Sequence, residues 1–334
     1  MKIIDRLYEE DTLWDKTVAQ IKDLVAKRMF PDKHNEDKAK GVLFIDHFRK
    51  FMSRKTGGTY SVYNQTLTKL LAYKEDIESL SFEEVTVQWL RDFEKDMSAT
   101  MSKNARNIHF RNIRAVFNDA LDDEVISCYP FRKFKIKGEE TEKRSLSVDN
   151  LRRLFDCKVE KYAEFYKDMF KLTFFLIGIN PVDLAHLSAM TIDGRVEYKR
   201  AKTHRGYSIK VEPEALEIIK RWRGNKYLLS ILDRWTDYKN FARQTNIALQ
   251  SMGAKRSGLG GKKAEGIFPD ITLYWARHSW ATIAAELDIP DAIISQALGH
   301  AAENRTTEIY IRRNRKKVDK ANRRVIDFVL YGKK

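Results

Sequence analysis

At 334 residues, with 43% hydrophobic and 11% aromatic content, the chain is long enough for two globular domains and too rich in ring side chains to be disordered. A formal net charge of +15, rising from −1 over residues 1–100 to +7 over residues 301–334, implies a polyanionic partner, most often nucleic acid. Two cysteines without a CxxC exclude a disulfide scaffold and a cysteine-ligated metal and fit a reducing cytoplasm. The start, MKIIDRLYEE, lacks the apolar core of a secretory signal, and the longest apolar run, residues 172–179, is too short to span a bilayer.

Residues 1–135 predict a helical domain, with one or two helices between Ile3 and Phe30 ahead of three apolar stripes. Val42, Ile45, Phe48 and Phe51 make the first stripe, and Tyr63, Leu67, Leu70 and Leu71 the second. Gly57 and Gly58 separate them. Ile108, Ile113, Val116, Phe117 and Leu121 make the third, whose other faces carry Lys103, Arg106, Arg111 and Arg114. Singly these are solvated charges; as a set they are candidate phosphate contacts. The stretch FRKFKIKGEETEKRS, 131–145, is charged and aperiodic, and the linker is placed at 136–145.

A second domain, 146–334, opens with Ser147 as a helix cap and is mostly helical. One β segment interrupts it: Gly194 to Lys199, a turn at Thr203 to Gly206, and Tyr207 to Val211 alternate as a hairpin. Trp275, Trp280, Ala281 and Ile283 describe a buried helix that carries Arg277, where an unpaired charge is costly. Residues 311–329 read as a basic amphipathic helix.

Three motifs occur in order: YKRAKTHRGY (198–207), YWARHSWA (274–281) and LGHAAENRTTEIYIR (298–312). Together with GINPVDLAHL (178–187) they resemble the active site of tyrosine recombinases of the phage-integrase family, in particular integrases of Bacteroides-type mobile elements. The resemblance implies a mainly α fold. An N-terminal core-binding, SAM-like domain and a mixed α/β, mostly helical catalytic domain with a small β-hairpin sheet would form a C-shaped clamp on duplex DNA. It implies cleavage and rejoining through a 3′-phosphotyrosyl link, with neither metal nor other cofactor. It also implies a monomer in solution, a homo-tetramer on synapsed DNA, and no membrane. The final helix then either docks on a neighbouring protomer or packs on its own domain or on DNA.

On the same resemblance Tyr310 is the nucleophile, Arg277 the phosphate clamp, Lys202 the general acid at the hairpin turn, and His300 a phosphate contact that positions the tyrosine. Arg205 joins the DNA-binding set, and His278 is structural. Two positions depart from the family pattern. Tyr274 stands where the second-box histidine is usual, and a tyrosine donates a hydrogen bond without carrying positive charge. Asn180 stands where the first arginine is usual, and with Pro181 next and Asp183 three on it reads as a helix cap. The missing charge is expected from backbone N–H groups or from another cation such as Lys171 or Arg205. A catalytically impaired DNA-binding homologue and a type IB topoisomerase are the rival readings.

Overall fold

The computed structural model describes residues 42–141, 144–253, 266–299 and 315–333. These form two compact units divided after Thr141.

In the first unit, α1 (Phe44–Ser53), α2 (Gly57–Leu71), α3 (Val87–Ser98) and α4 (Lys103–Asp122) surround an aromatic core. Phe44, Phe48, Phe82, Phe93, Phe110 and Phe117 are fully buried in it, and Phe82 meets Phe117 edge-on at 4.9 Å. Thr86 and Ser102 cap α3 and α4 with their side-chain oxygens. Ile108, expected on the third stripe's core face, is instead 45% exposed. It lies on the outer side of α4, where its neighbours His109 and Phe110 turn inward. Arg106 curls back to donate to the Met101 carbonyl at 2.8 Å, and Lys103 pairs with Glu139 at 3.4 Å, whereas Arg111 and Arg114 are exposed.

The segment expected to be linker is partly structural. Phe131 and Phe134 are buried and Ile136 packs against the first core. Asn107 donates to the Lys137 carbonyl at 2.9 Å, and Asn104 exchanges bonds with the backbone of Glu139 at 2.8 and 3.0 Å. Side chains three residues apart on α4 thus hold an aperiodic stretch of chain that no hydrophobic pattern marks. His47 and Asp119 (3.0 Å) lie near Asp123, but Asp119 also pairs with Arg54, so this is an ion-paired tie between α1 and α4.

His109 is buried between α2 and α4, its Nδ1 2.9 Å from the Thr66 hydroxyl, which also accepts from Asn112 at 2.8 Å. Burial, reinforced by the charge of Lys69, holds its pKa below the ordinary histidine value. A depressed pKa favours the neutral ring in the folded state. The associated stability is therefore present above the unfolded value of about 6.5 and is lost as pH falls below it. Thermal unfolding at pH 7.5 and pH 5 should show a larger acid-induced drop for the wild type than for His109→Gln; equal drops would dissociate the histidine from acid sensitivity.

The second unit contains α5 (Val148–Asp156), α6 (Lys161–Phe175), α7 (Pro181–Ala185), β1 (Arg195–Lys199), β2 (Gly206–Lys210), α8 (Pro213–Arg221), α9 (Ile231–Arg234), α10 (Tyr238–Gln250), α11 (Trp275–Glu286), α12 (Asp291–Leu298) and α13 (Arg315–Tyr331). Ser147 caps α5 by accepting from the Asn150 N–H at 3.3 Å. The strands pair antiparallel, with Arg195 opposite Lys210 and Lys199 opposite Gly206. The centre is α6, apolar on most sides, against which α8, α10 and α11 pack.

The last helix packs on its own unit. Val318, Ala321, Val325, Ile326 and Val329 are buried. Asn322 accepts from the Trp280 indole at 2.8 Å and donates to the Phe175 carbonyl at 2.9 Å. Arg195 grips Asp319 with two bonds of 2.7 and 3.0 Å, and Arg323 binds both oxygens of Glu214 at 2.9 Å. Such forked pairs are the strong class of ion pair.

Candidate active site

The site begins with α11. Ala276, Trp280 and Ile283 anchor it in the core, which drags Arg277, on the same buried side, out of solvent to 6% exposure. Its guanidinium donates to two main-chain carbonyls, to Gly178 at 3.1 Å and to Leu298. Among the described residues no carboxylate pairs with it. Burial lowers its pKa from the ordinary arginine value; nearby Tyr274 opposes that and the charge of Arg200 adds to it.

Each carbonyl is presented by a glycine turn. Ile177 and Gly178 both have positive φ at the end of α6, and a Cβ at Gly178 would collide with the Arg277 backbone and side chain. Gly299 closes α12 in the left-handed region. A Cβ there would occupy the place of the Tyr207 hydroxyl, which donates to the same Leu298 carbonyl at 3.2 Å. Arg277 and Tyr207 therefore converge on the carbonyl that precedes Gly299.

The hairpin reaches this site through its tyrosines and its loop. Tyr198 stacks on Tyr207 with centroids 5.1 Å apart. Burial, together with the negative charge of Asp183, pushes the Tyr198 phenol far up, so it stays protonated. Asp183 on α7 is itself buried and accepts the Ala201 N–H at 2.9 Å. That bond fixes the loop between β1 and β2 one residue before Lys202, which is exposed at the turn.

Asn180 holds the N-cap position of α7, its carbonyl accepting from Leu184 at 2.8 Å. Its side chain does not cap, which corrects the sequence expectation. Its amide nitrogen donates to Asp183, Nδ2 to Oδ2 at 3.3 Å, while the other carboxylate oxygen accepts from Ala201. With five residues α7 has little macrodipole, so positive charge here must come from side chains. Lys171 is not that cation: its Nζ lies 5.3 Å from the Phe155 ring centre, beside Lys167 and Asp168. Arg205 is on the hairpin loop, its carbonyl accepting the Arg200 N–H at 2.9 Å.

Tyr274 stands at the start of α11, 45% exposed, with His278 edge-on at 4.9 Å. Burial, with Arg277 close by, lowers the His278 pKa, so that ring is neutral at neutral pH. The structure thus brings Arg277, Tyr274, Asn180 and the Lys202 loop into one unit. Tyr310 and His300 lie outside the described residues. The sequence marks Asp183 as part of a helix cap and gives Arg200 and Tyr207 no more than a place in the YKRAKTHRGY motif; the arginine inside that motif, the tyrosine that ends it and the Asp of NPVD were the available signals.

With the geometry in place, the comparisons can be stated. Residues 43–136 match the phage integrase SAM-like domain. Their helices α1–α4 are that match's core. The structure as a whole has an integrase fold. Lambda integrase, in a crystal structure of a dimer bound to a COC′ core site, matches with a TM-score of 0.59 at 15% identity over 78% of this chain and 94% of that chain. A lambda integrase tetramer bound to a Holliday junction gives 0.59 at 14% identity, over 90% and 88%. The Tn1549 transposon integrase, in complex with circular intermediate DNA, gives 0.54 at 13% identity, over 80% and 94%. No curated protein matches the chain in sequence. Among the described residues no helix is long and apolar enough to cross a membrane.

Proposed function

We propose that the chain is a tyrosine-type site-specific recombinase that integrates or excises a mobile element of the Bacteroides type. The observation that carries this reading is Arg277: a buried guanidinium with no carboxylate partner among the described residues, in a fold similar to that of integrases. A buried cation bonded only to neutral carbonyls retains most of its charge for an anionic ligand. A planar fork suits two non-bridging oxygens of one phosphodiester.

In the proposed step the Tyr310 hydroxyl oxygen attacks phosphorus and a phosphotyrosyl bond forms. The bond from phosphorus to the 5′ oxygen breaks, Lys202 gives that oxygen a proton, and the phenolic proton passes to water. Rejoining is the reverse. Arg277 and His300 hold the phosphate, and Tyr274 supplies a neutral hydrogen bond. Lys103, Arg106, Arg111, Arg114 and Arg205 contribute to DNA binding, Arg111 and Arg114 with the freest reach. In this reading the protein works in the cytoplasm, as a monomer in solution and as a tetramer on synapsed DNA; the SAM-like match, the shared fold and the basic charge support its binding of DNA.

The decisive experiment is covalent trapping. Wild-type protein mixed with a random-sequence duplex pool in EDTA should yield a detergent-resistant protein–DNA adduct. DNA binding without any adduct would favour the impaired binding homologue, the reading that the neutral Asn180 supports.

Lys202 has its own test. On a duplex with a 5′-bridging sulfur the leaving group is a thiolate, which departs without a proton. Lys202→Ala should cut ordinary DNA roughly a hundredfold more slowly than wild type and approach it on the sulfur substrate. A defect of equal size on both would remove Lys202 from the acid role.

A further inference from the structure

We propose that Arg200 is the second cation of the phosphate pocket, sharing the scissile phosphate with Arg277 and supplying the charge that Asn180 lacks. This rests on the recombinase reading for its substrate, but on the structure alone for its geometry.

Arg200 follows the last residue of β1 and is fixed from both sides. Its N–H donates to the Arg205 carbonyl at 2.9 Å, and the next N–H, of Ala201, is held by Asp183 at 2.9 Å. Its side chain turns inward far enough that Nε is buried, yet among the described residues that N–H has no acceptor. A buried donor without a partner is expensive, and a native fold keeps one where a ligand supplies the acceptor.

What surrounds the group says which ligand. Hydrogen bonds tie Arg200 to the Arg277 region: Asp183 holds Ala201, the residue after Arg200, and also Asn180, two residues beyond the Gly178 carbonyl that Arg277 bonds. The charge of Arg200 also acts on Arg277, so the two guanidinium groups repel. Asp183 has its oxygens engaged by Ala201 and Asn180. Arg277 bonds only carbonyls among the described residues. Two guanidinium groups in one region, with no paired carboxylate among the described residues, suit a tetrahedral oxyanion, where the transition state of phosphoryl transfer builds charge. Arg106 in the first unit also has a buried Nε without an acceptor among the described residues, but another arm of its guanidinium is bound to the Met101 carbonyl at 2.8 Å.

The test has two arms. In the first, the duplex selected by trapping is remade with a methylphosphonate at the scissile position, which replaces a charged non-bridging oxygen by a methyl. Arg200→Ala should form adduct roughly a hundredfold more slowly than wild type on phosphate DNA. On methylphosphonate, with less charge to neutralise, the deficit should shrink to under about tenfold. Arg200→Lys, which keeps charge and loses the fork, should fall between. Full activity of Arg200→Ala, or a deficit of the same size on both substrates, would overturn the proposal.

The second arm needs no catalysis. Inorganic phosphate should raise the thermal unfolding midpoint of the wild-type chain, and Arg200→Ala should lose most of that shift while melting no lower than the wild type in phosphate-free buffer. Equal protection of both proteins overturns the proposal. If the wild type forms no adduct on any DNA while phosphate protects it in an Arg200-dependent way, the phosphate site stands and the recombinase reading falls.

Discussion

Tyr310→Phe is expected to abolish the covalent adduct while leaving duplex affinity within about twofold of wild type. The substitution removes one oxygen and leaves the ring. Binding is spread over many phosphate contacts, so losing one hydroxyl barely registers there. The covalent bond has no other route, because the nucleophile is a single atom. The two hairpin tyrosines do not substitute. Tyr207 spends its hydroxyl on Leu298, and Tyr198 is buried with its phenol held protonated. The measurement is detergent gel analysis of the trapped adduct in EDTA, beside a mobility shift on the same duplex. An adduct that survives the substitution, or one that requires a divalent ion, ends the assignment of Tyr310.

Arg277→Ala should lower adduct formation by about a thousandfold, the scale of losing a preorganised charged donor, with duplex affinity reduced less than about threefold. Arg277 also has a second job. It satisfies the carbonyls of Gly178 and Leu298, and bonds from a charged donor contribute about 1.5–3 kcal/mol each. The alanine variant is therefore expected to melt earlier. Arg277→Lys separates the roles, since a lysine keeps a charge but cannot fork. Rates should be compared on folded protein at a temperature well below the lower midpoint. If binding and cleavage fall in parallel, Arg277 is an anchoring contact and not a clamp.

Much of this architecture can be read from residue spacing. The stripes over α1, α2 and α4, the Ser147 cap and the hairpin all arise from local rules, in which a period of 3.6 or 2 reports which side faces a core. Val42, Leu71 and Ile108, 41%, 37% and 45% exposed, escape because one apolar residue at the margin of a stripe does not reveal which way it turns. The stretch 136–141 escapes because Asn104 and Asn107 hold it by side-chain hydrogen bonds to backbone, which leave no periodic trace. Asn180 has the sequence of a cap and the position of one, but its amide nitrogen bonds the Asp183 carboxylate and its side chain does not cap. Arg277 is legible as a buried charge. Its acceptors, Gly178 and Leu298, are 99 and 21 residues away, and only the fold brings them to it. Arg200 looks like one more solvated turn cation until its orphaned Nε is seen.

The final helix carries one more consequence. Among the described residues it is held by Arg195, Trp280, Phe175 and Glu214, side chains and backbone of its own unit. Its attachment does not depend on a continuous backbone between Gly299 and Arg315. A fragment ending after His300 and a peptide beginning ahead of Tyr310 contain between them each of these bonds. The peptide would then bring its own tyrosine to the pocket, and the nucleophile becomes a separable part, exchangeable by synthesis for residues that a ribosome does not incorporate.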